Sequence, residues 1–326
     1  MDTVGLICGG YSSEYDISMK SAELIQDHFP EEYQLIKIIV NKNDWYCENS
    51  DGKFEFDMNT GMAEINSSRS PIDLAIICIH GDPGENGKVQ AYLDMKGIPY
   101  LNSDFQASSL SFDKFICNQF LRSQKIETAE SILLSRNQNF NANEICTTLG
   151  LPLFVKPTNS GSSYGISKVY EESKLKDAVN FAFSEGDRVI IESYLSGREL
   201  TCAAFKLEEE IKTLPITEII SENDFFDYDA KYNGKSREET PAKIDEELAN
   251  DIKIMTRKVY EILNLKSVAR IDYIVVDRTP VVIEVNTIPG FSEASIVPQM
   301  LKLEGIEIKD FWRQLIEQEL NKKPSH

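Results

Sequence analysis

Histidine is scarce in this chain, with His28, His80 and His326 the only three in 326 residues, which excludes a histidine-rich metal centre. The cysteines, Cys8, Cys47, Cys78, Cys117, Cys146 and Cys202, show no CxxC spacing and mostly sit in apolar surroundings. Buried free thiols in a reducing cytoplasm are therefore expected, rather than disulfides or zinc. No run of about 18 apolar residues occurs, so no membrane span is expected. Met1-Asp-Thr-Val-Gly lacks a basic region and a long apolar stretch, so no secretion signal is expected and the predicted location is cytoplasmic. Positive charge is in deficit: 34 Lys and Arg against 53 Asp and Glu give a net charge of −19. That disfavours nucleic acid as a partner, and any anionic substrate must be held by a local cluster of cations. Neither GxxxxGK[ST] nor GxGxxG is present, since Gly87-Lys88 is followed by Val89 and lacks the upstream glycine. The usual P-loop is excluded and a dinucleotide-binding reading is weakened.

What is present reads as an α/β chain (α+β overall) of three lobes, 1–112, 113–194 and 195–326. Thr3–Cys8 is an apolar strand ending in Gly9-Gly10, and Asp16–Phe29 carries Ile17, Leu24, Ile25 and His28 at helical spacing. Leu35–Val40 and Leu74–Ile79 are further apolar strands, and Val89–Lys96 is a short helix ending at Gly97. This order predicts a parallel sheet covered on both faces over about the first hundred residues. The second lobe opens with a helix from Asp113-Lys114 through Leu121. Strands Ile132–Leu134 and Pro152–Lys156 follow, then a loop at Pro157–Gly165, strand Ile166–Val169, helix Ser173–Phe183 and strand Arg188–Glu192. The third reads as antiparallel sheet, from Glu199–Phe205 and Ile211–Ile219 to a hairpin near the end. Its helix, Asp245–Leu263, places Leu248, Ile252, Met255, Val259 and Ile262 on a core stripe. Ser221–Pro241 is polar and reads as a mobile loop, too long for an idle connector.

The hairpin holds the strongest chemical signal. In Val268–Ile274 alternation puts Arg270 and Asp272 on one face, and Glu284 and Asn286 share a face of the next strand. Asp277-Arg278-Thr279-Pro280 reads as a tight turn. If Val276 pairs with Pro280, Asp272 falls opposite Glu284 and Arg270 opposite Asn286. Two carboxylates and an amide oxygen form a hard-oxygen site suited to Mg²⁺ bound with phosphates. The same alternation also describes the wet face of an ordinary hairpin. A second signal is Phe154-Val-Lys-Pro-Thr-Asn-Ser-Gly-Ser-Ser-Tyr-Gly165, where a strand delivers Lys156 to a loop of small residues whose N–H groups can approach phosphate oxygens.

Together these elements, with Glu192-Ser-Tyr-Leu195 and Glu199, resemble the ATP-grasp fold preceded by a Rossmann-like domain. The whole chain resembles the D-alanine–D-alanine ligase family. The matching segments are Gly9-Gly-Tyr-Ser-Ser-Glu-Tyr-Asp-Ile-Ser18, His80-Gly-Asp-Pro-Gly-Glu-Asn-Gly87 and Gly97-Ile-Pro-Tyr100. They continue through Asp113-Lys114, Gly161-Ser-Ser163, Phe226-Asp-Tyr-Asp-Ala-Lys-Tyr232 and Asn286-Thr-Ile-Pro-Gly-Phe-Ser-Glu-Ala-Ser295. Asn86, Ala91, Asn102 and Ser292 depart from the family's common residues, and none of them is assigned to the chemistry.

The resemblance implies ATP as co-substrate, two Mg²⁺ (or Mn²⁺) ions on Asp272, Glu284 and Asn286, D-alanine as substrate, and a homodimer. Lys114, Lys156, Ser162, Ser163 and Lys231 would hold ATP, with Glu192, Leu195 and Glu199 facing adenine and ribose. Glu14 would hold the first substrate's ammonium, with His80 nearby and Ser162 and Tyr232 hydrogen-bonded to Glu14. Ser295 and Lys231 would bind the second carboxylate. Arg270 and the Gly290 N–H would stabilise the oxyanion. Ester-forming relatives carry a histidine in the mobile loop, whereas Phe226–Gly234 has none, so a dipeptide product is expected. Ligases with D-lactate or D-serine as second substrate, and a non-catalytic nucleotide-binding regulator, are the alternatives.

Overall fold

The apolar run near the N-terminus forms β1 (Thr3–Gly9), buried along its whole length. It pairs in parallel with β2 (Gln34–Val40) on one side and β7 (Leu74–Ile77) on the other. Val4, Leu6 and Cys8 face one core, with Ala22 and Ile25 of α1 (Tyr15–Asp27). Ile7 faces the other, with Val89 and Leu93 of α2 (Lys88–Lys96). Burial on both faces demands apolar residues at successive positions, so the strand reads as an unbroken run. The computed structural model describes residues 1–49, 52–65, 68–159, 165–221 and 236–322.

Two expectations for this region need correction. The parallel pairing is confined to β1, β2 and β7. Strands β3 (Trp45–Asn49), β4 (Gly52–Asp57), β5 (Met62–Ile65) and β6 (Ser68–Ser70) extend the sheet antiparallel, in the order β6-β5-β4-β3-β2-β1-β7. Their connections are too short for the crossover that a parallel pair needs. On α1, His28 is exposed, and the buried positions are Ser18, Ser21, Ala22 and Ile25. Small residues let the helix approach the sheet, and their hydroxyls are satisfied there: Ser18 Oγ donates to Cys78 O (2.6 Å) and accepts from Gly9 N (2.8 Å).

The second sheet has the order β10-β9-β11-β8, from β8 (Ser131–Ser135), β9 (Leu153–Pro157), β10 (Ser167–Val169) and β11 (Arg188–Ser193), all antiparallel. Helices α5 (Ala142–Leu149) and α6 (Glu172–Glu185) contribute Ile145, Leu175 and Val179 to the core beneath it. Before it come α3 (Phe105–Phe112) and α4 (Lys114–Ser123); Asp113 caps α4 by accepting from Ile116 N (3.0 Å).

The third sheet runs β15-β14-β12-β16-β17, with β13 beside β12. Its strands are β12 (Arg198–Leu207), β13 (Glu210–Thr213), β14 (Thr217–Ser221), β15 (Ser236–Glu239), β16 (Val268–Val276) and β17 (Thr279–Asn286). The single strand expected over Ile211–Ile219 is divided at Leu214-Pro215-Ile216, where proline interrupts the ladder. The C-terminal part of the expected loop is strand β15, and residues 222–235 lie outside the described set. Helix α7 (Glu246–Ile262) buries Leu248, Ile252 and Val259, with Met255 and Ile262 packed beside them, as its stripe predicts. Four helices escaped the sequence reading: α3, α5, α8 (Ile296–Leu303) and α9 (Ile308–Leu320). Phe311 and Trp312 of α9 pack on Phe291 and on the same core as β1, joining the first sheet to the third.

All six cysteines are free, and all but the half-buried Cys146 are buried. Burial pushes the Cys8 and Cys47 thiols up to about 12. Among the described residues no helix is long and apolar enough to cross a membrane.

Candidate active site

The hairpin positions its polar face through a compensated error of register. Asp277 and Arg278 form a two-residue turn with positive φ at both (46° and 69°). Val276 therefore pairs with Thr279, not with Pro280 as expected, and Val275 takes Pro280. Continued without interruption, that register would set Asp272 opposite Ile283 and turn Glu284 to the other face. A bulge between Asp272 and Tyr273 absorbs one residue, and Asp272 comes opposite Glu284 and Arg270 opposite Asn286. On the other side of β16, Thr201 and Ala203 of β12 lie opposite Asp272 and Arg270, small residues that leave the face open. The alternate residues Leu200, Cys202, Ile271, Tyr273 and Val285 pack beneath.

Asp272 is the hub of this face. Arg270 donates to both its oxygens (Nε to Oδ1 and Nη2 to Oδ2, each 2.8 Å), Thr201 Oγ1 donates to Oδ1 (2.5 Å) and Asn286 Nδ2 to Oδ2 (2.9 Å). Burial opposes the Arg270 charge, yet the Asp272 charge and hydrogen bonds outweigh it and raise the guanidinium's pKa. Glu284 Oε1 meets Lys114 Nζ at 2.7 Å. Lys114 is buried, which by itself lowers its pKa, but the Glu284 carboxylate turns the net shift upward. The donor set suits a hard cation: two carboxylates stand side by side, and Asn286 directs its amide nitrogen to Asp272.

A second lysine stands on β9, where Leu153 and Val155 enter the core and Phe154 and Lys156 alternate away from it. Lys156 Nζ meets Glu192 Oε2 at 2.6 Å, and Asn118 Nδ2 donates to Glu192 Oε1 (3.0 Å). Glu192 is therefore held by a lysine and an amide as well as lining the cavity. Phe154 and Tyr194 have ring centroids 6.1 Å apart, and the apolar Leu195, Ile274 and Ile283, with Glu199, line the same cavity.

Elsewhere on the cavity wall, Glu14 occupies the N-cap position of α1 but makes no capping hydrogen bond, and its side chain lines the cavity. Gly81 permits this: its φ is +71°, and a Cβ there would lie 2.9 Å from Ser12 and 3.4 Å from Glu14 Oε2. His80 is buried between the Ile288 carbonyl (Nδ1, 3.0 Å) and Ser21 Oγ (Nε2, 3.3 Å). Burial lowers its pKa, partly offset by Glu14, so the ring is neutral at pH 7. Glu85 accepts from Gly81 N (2.8 Å); burial, then the Glu14 charge, raise its pKa to about 8. Ser295 precedes α8, and its Oγ accepts from Ser292 N (2.9 Å). A Cβ on Gly290 would come within 3.0 Å of that oxygen.

These groups line one cavity of about 730 Å³, a size that holds a nucleotide and small substrates. Of the residues singled out from sequence, Glu14, His80, Lys114, Lys156, Glu192 and Leu195 line it. So do Glu199, Arg270, Asp272, Glu284, Asn286, Gly290 and Ser295. Ser162, Ser163, Lys231 and Tyr232 lie outside the described residues.

Residues 3–103 match the D-ala D-ala ligase N-terminus family model and residues 120–317 the D-ala D-ala ligase C-terminus model. The chain belongs to the D-alanine–D-alanine ligase family. A D-alanine--D-alanine ligase from Flavobacterium johnsoniae is 40% identical over 97% of this chain and 99% of its own length. Among solved structures, a D-Ala:D-Ser ligase from Enterococcus faecalis aligns with a TM-score of 0.86 at 28% identity, covering 97% of this chain and 99% of the other. The D-alanine--D-Alanine ligase from Bacillus anthracis, complexed with ATP, aligns with a TM-score of 0.80 at 30% identity, covering 98% of each. These neighbours place this ligase-family chain in the ATP-grasp fold.

Sequence reasoning missed several residues of this ligase-family site. Phe154 was legible, two positions before Lys156 on the same strand face. Thr201 could have been found only by knowing that β12 pairs with β16. Asn118, Ser21 and Glu238 carried no sequence signal, because the groups they bond, on Glu192, His80 and Gln299, lie 74, 59 and 61 residues away in the chain.

Proposed function

We propose that this chain joins two D-alanines into D-alanyl-D-alanine with ATP, through an acyl phosphate, for peptidoglycan precursor synthesis. The observation that supports it best is one cavity lined by Lys114, Lys156, Asp272, Glu284 and Asn286 together with Glu14, Arg270 and Ser295. In this reading the first D-alanine's carboxylate oxygen attacks the γ-phosphorus, the bond to ADP breaks, and an acyl phosphate forms. The amine of the second D-alanine then attacks the carbonyl carbon, loses a proton, and phosphate departs.

Lys114 and Lys156 exchange Glu284 and Glu192 for phosphate oxygens, and the cavity wall at Phe154 and Leu195 takes the adenine, with Glu192 and Glu199 beside base and ribose. Glu14 holds the first ammonium, oriented by the neutral His80 wall. Ser295 receives the second carboxylate, and Arg270 with the Gly290 N–H stabilises the tetrahedral oxyanion. Asp272, Glu284 and Asn286 would hold two Mg²⁺ or Mn²⁺ ions, which neutralise charge on the phosphates when bound. Ser162, Ser163 and Lys231 would contact ATP, with Ser162 and Tyr232 hydrogen-bonded to Glu14 and Lys231 also at the second carboxylate. The same reading makes the chain a cytoplasmic homodimer of three lobes, 1–112, 113–194 and 195–326.

Phosphate release from ATP, with D-alanine, D-serine, D-lactate and L-alanine offered in turn, tests the proposal. Release with D-alanine alone, and a dipeptide by mass, is the expected outcome. ATP binding without D-alanine-dependent turnover would leave only a nucleotide-binding regulator.

A further inference from the structure

One acidic wall of the cavity is absent from the roles above. Glu238 lies on β15, opposite Ile219 of β14, and lines the cavity. Its neighbours Arg237 and Glu239 pair with each other at 3.5 Å. Alternation along the strand turns Glu238 to the opposite side, where it is half-buried. Gln299 Nε2 of α8 donates to Glu238 Oε2 (3.4 Å) and to Ala294 O (3.1 Å), which ties the carboxylate to the turn holding Ser295. Among the described residues no lysine or arginine closes an ion pair with Glu238; Arg270 acts on it electrostatically. Burial raises its pKa against that influence.

A half-buried carboxylate that meets no lysine or arginine at contact distance among the described residues is an unusual wall for an acidic protein to keep. Its surroundings complement a zwitterion: Arg270 and the Ser292–Ser295 turn offer donors to a carboxylate, while Glu238 offers a negative charge to an ammonium. Glu14 supplies a separate carboxylate from the start of α1. We propose that Glu238 binds the ammonium group of the second, acceptor amino acid and so selects amino acids over hydroxy acids. This inference rests on the ligase reading above. A hydroxy acid lacks the ammonium and gains nothing from this carboxylate. The interaction acts on the arriving zwitterion, so it governs acceptor KM and product partition rather than acyl phosphate formation.

The test uses the full chain as Glu238→Gln and Glu238→Asp, with ATP and D-alanine, with and without equimolar D-lactate at pH 7. For Glu238→Gln the acceptor KM rises about tenfold or more, the range of one charge-assisted hydrogen bond. The ester-to-dipeptide ratio rises by a similar factor, and Glu238→Asp recovers part of both. Positional isotope exchange in ATP with D-alanine, which reads acyl phosphate formation, stays at the wild-type rate. Wild-type acceptor KM and partition in Glu238→Gln overturn the inference and leave the ligase reading intact. Parallel losses in isotope exchange and donor KM also overturn it, by assigning Glu238 a structural role. A wild-type chain without D-alanine-dependent phosphate release removes the ligase reading itself, and this inference with it.

Discussion

The two ends that the proposed function gives the cavity hold their charges in different ways. At the end assigned to the nucleotide, each lysine is closed against a carboxylate: Lys114 on Glu284 and Lys156 on Glu192. At the amino-acid end the polar groups lean largely on backbone and hydroxyls: His80 on the Ile288 carbonyl and Ser21, Glu85 on the Gly81 N–H, Ser295 on the Ser292 N–H. Side-chain ion pairs can be exchanged for phosphate and cation without moving the main chain. Backbone hydrogen bonds are fixed by the fold and keep their geometry before and after substrate arrives. The first end is thus neutralised until its ligand comes, and the second is preorganised. Arg270 and Asp272 lie at the boundary, a bidentate pair inside a four-donor network.

The largest effect should come from breaking that boundary. Arg270→Lys keeps the charge but loses the fork that holds both oxygens of Asp272. The kcat of D-alanine-dependent phosphate release should fall about 10²- to 10³-fold, as for loss of an oxyanion donor. ATP affinity, which the proposed reading assigns to the lysines, should change little. Titration showing ATP binding lost in proportion to rate would place Arg270 at the nucleotide end and erase the division.

A middle-sized effect should separate the exchangeable pairs from the fixed frame. Lys156→Met leaves the Glu192 carboxylate with only Asn118 among the partners described above, in surroundings where both side chains are mostly buried (12% and 7% exposed). Removing one partner of such a pair costs about 3–5 kcal/mol. Thermal melting should fall accordingly, and Lys156→Met/Glu192→Gln should recover much of it while ATP affinity stays low. A double variant as unstable as the single one would show that the pair is not what binds these two strands.

Much of this was legible in the sequence, and the rest fails for identifiable reasons. The hairpin face followed from alternation, yet its turn pairing was off by one. Only the fold shows that a bulge at Asp272/Tyr273 restores the face. The apolar strands β1, β2 and β7 were readable because both faces are buried. The antiparallel extension β3–β6, with mixed polar residues, gave no such run. The α1 stripe misled because its contact face is built from Ser18, Ser21 and Ala22, residues that periodicity in large apolar groups passes over. Lys114 and Lys156 were found as cations, but their carboxylate partners depend on contacts between elements far apart in the chain.

The smallest effect concerns Glu85, a carboxyl of the amino-acid end that backbone holds but charge opposes. Burial, then the Glu14 charge, lift its pKa from 4.5 to about 8. A group whose folded pKa is raised stabilises the fold fully below its unfolded value and loses that contribution as pH climbs through the folded one. The ligand-free protein should therefore lose stability at this site between pH 4.5 and about 8. Glu85→Gln keeps an oxygen for the Gly81 N–H and cannot ionise, so its melting temperature should not follow that loss. The variant's advantage over wild type should grow with pH across the window and level off above it. About 1 kcal/mol corresponds to roughly 2 °C in a chain of this size, so a difference of a few degrees at pH 8.5 is enough to see. Parallel melting curves from pH 5.5 to 8.5 would mean that Glu85 ionises freely in the folded protein. In that case the amino-acid end is no more preorganised than the nucleotide end, and the contrast between the two rests on the ion pairs alone.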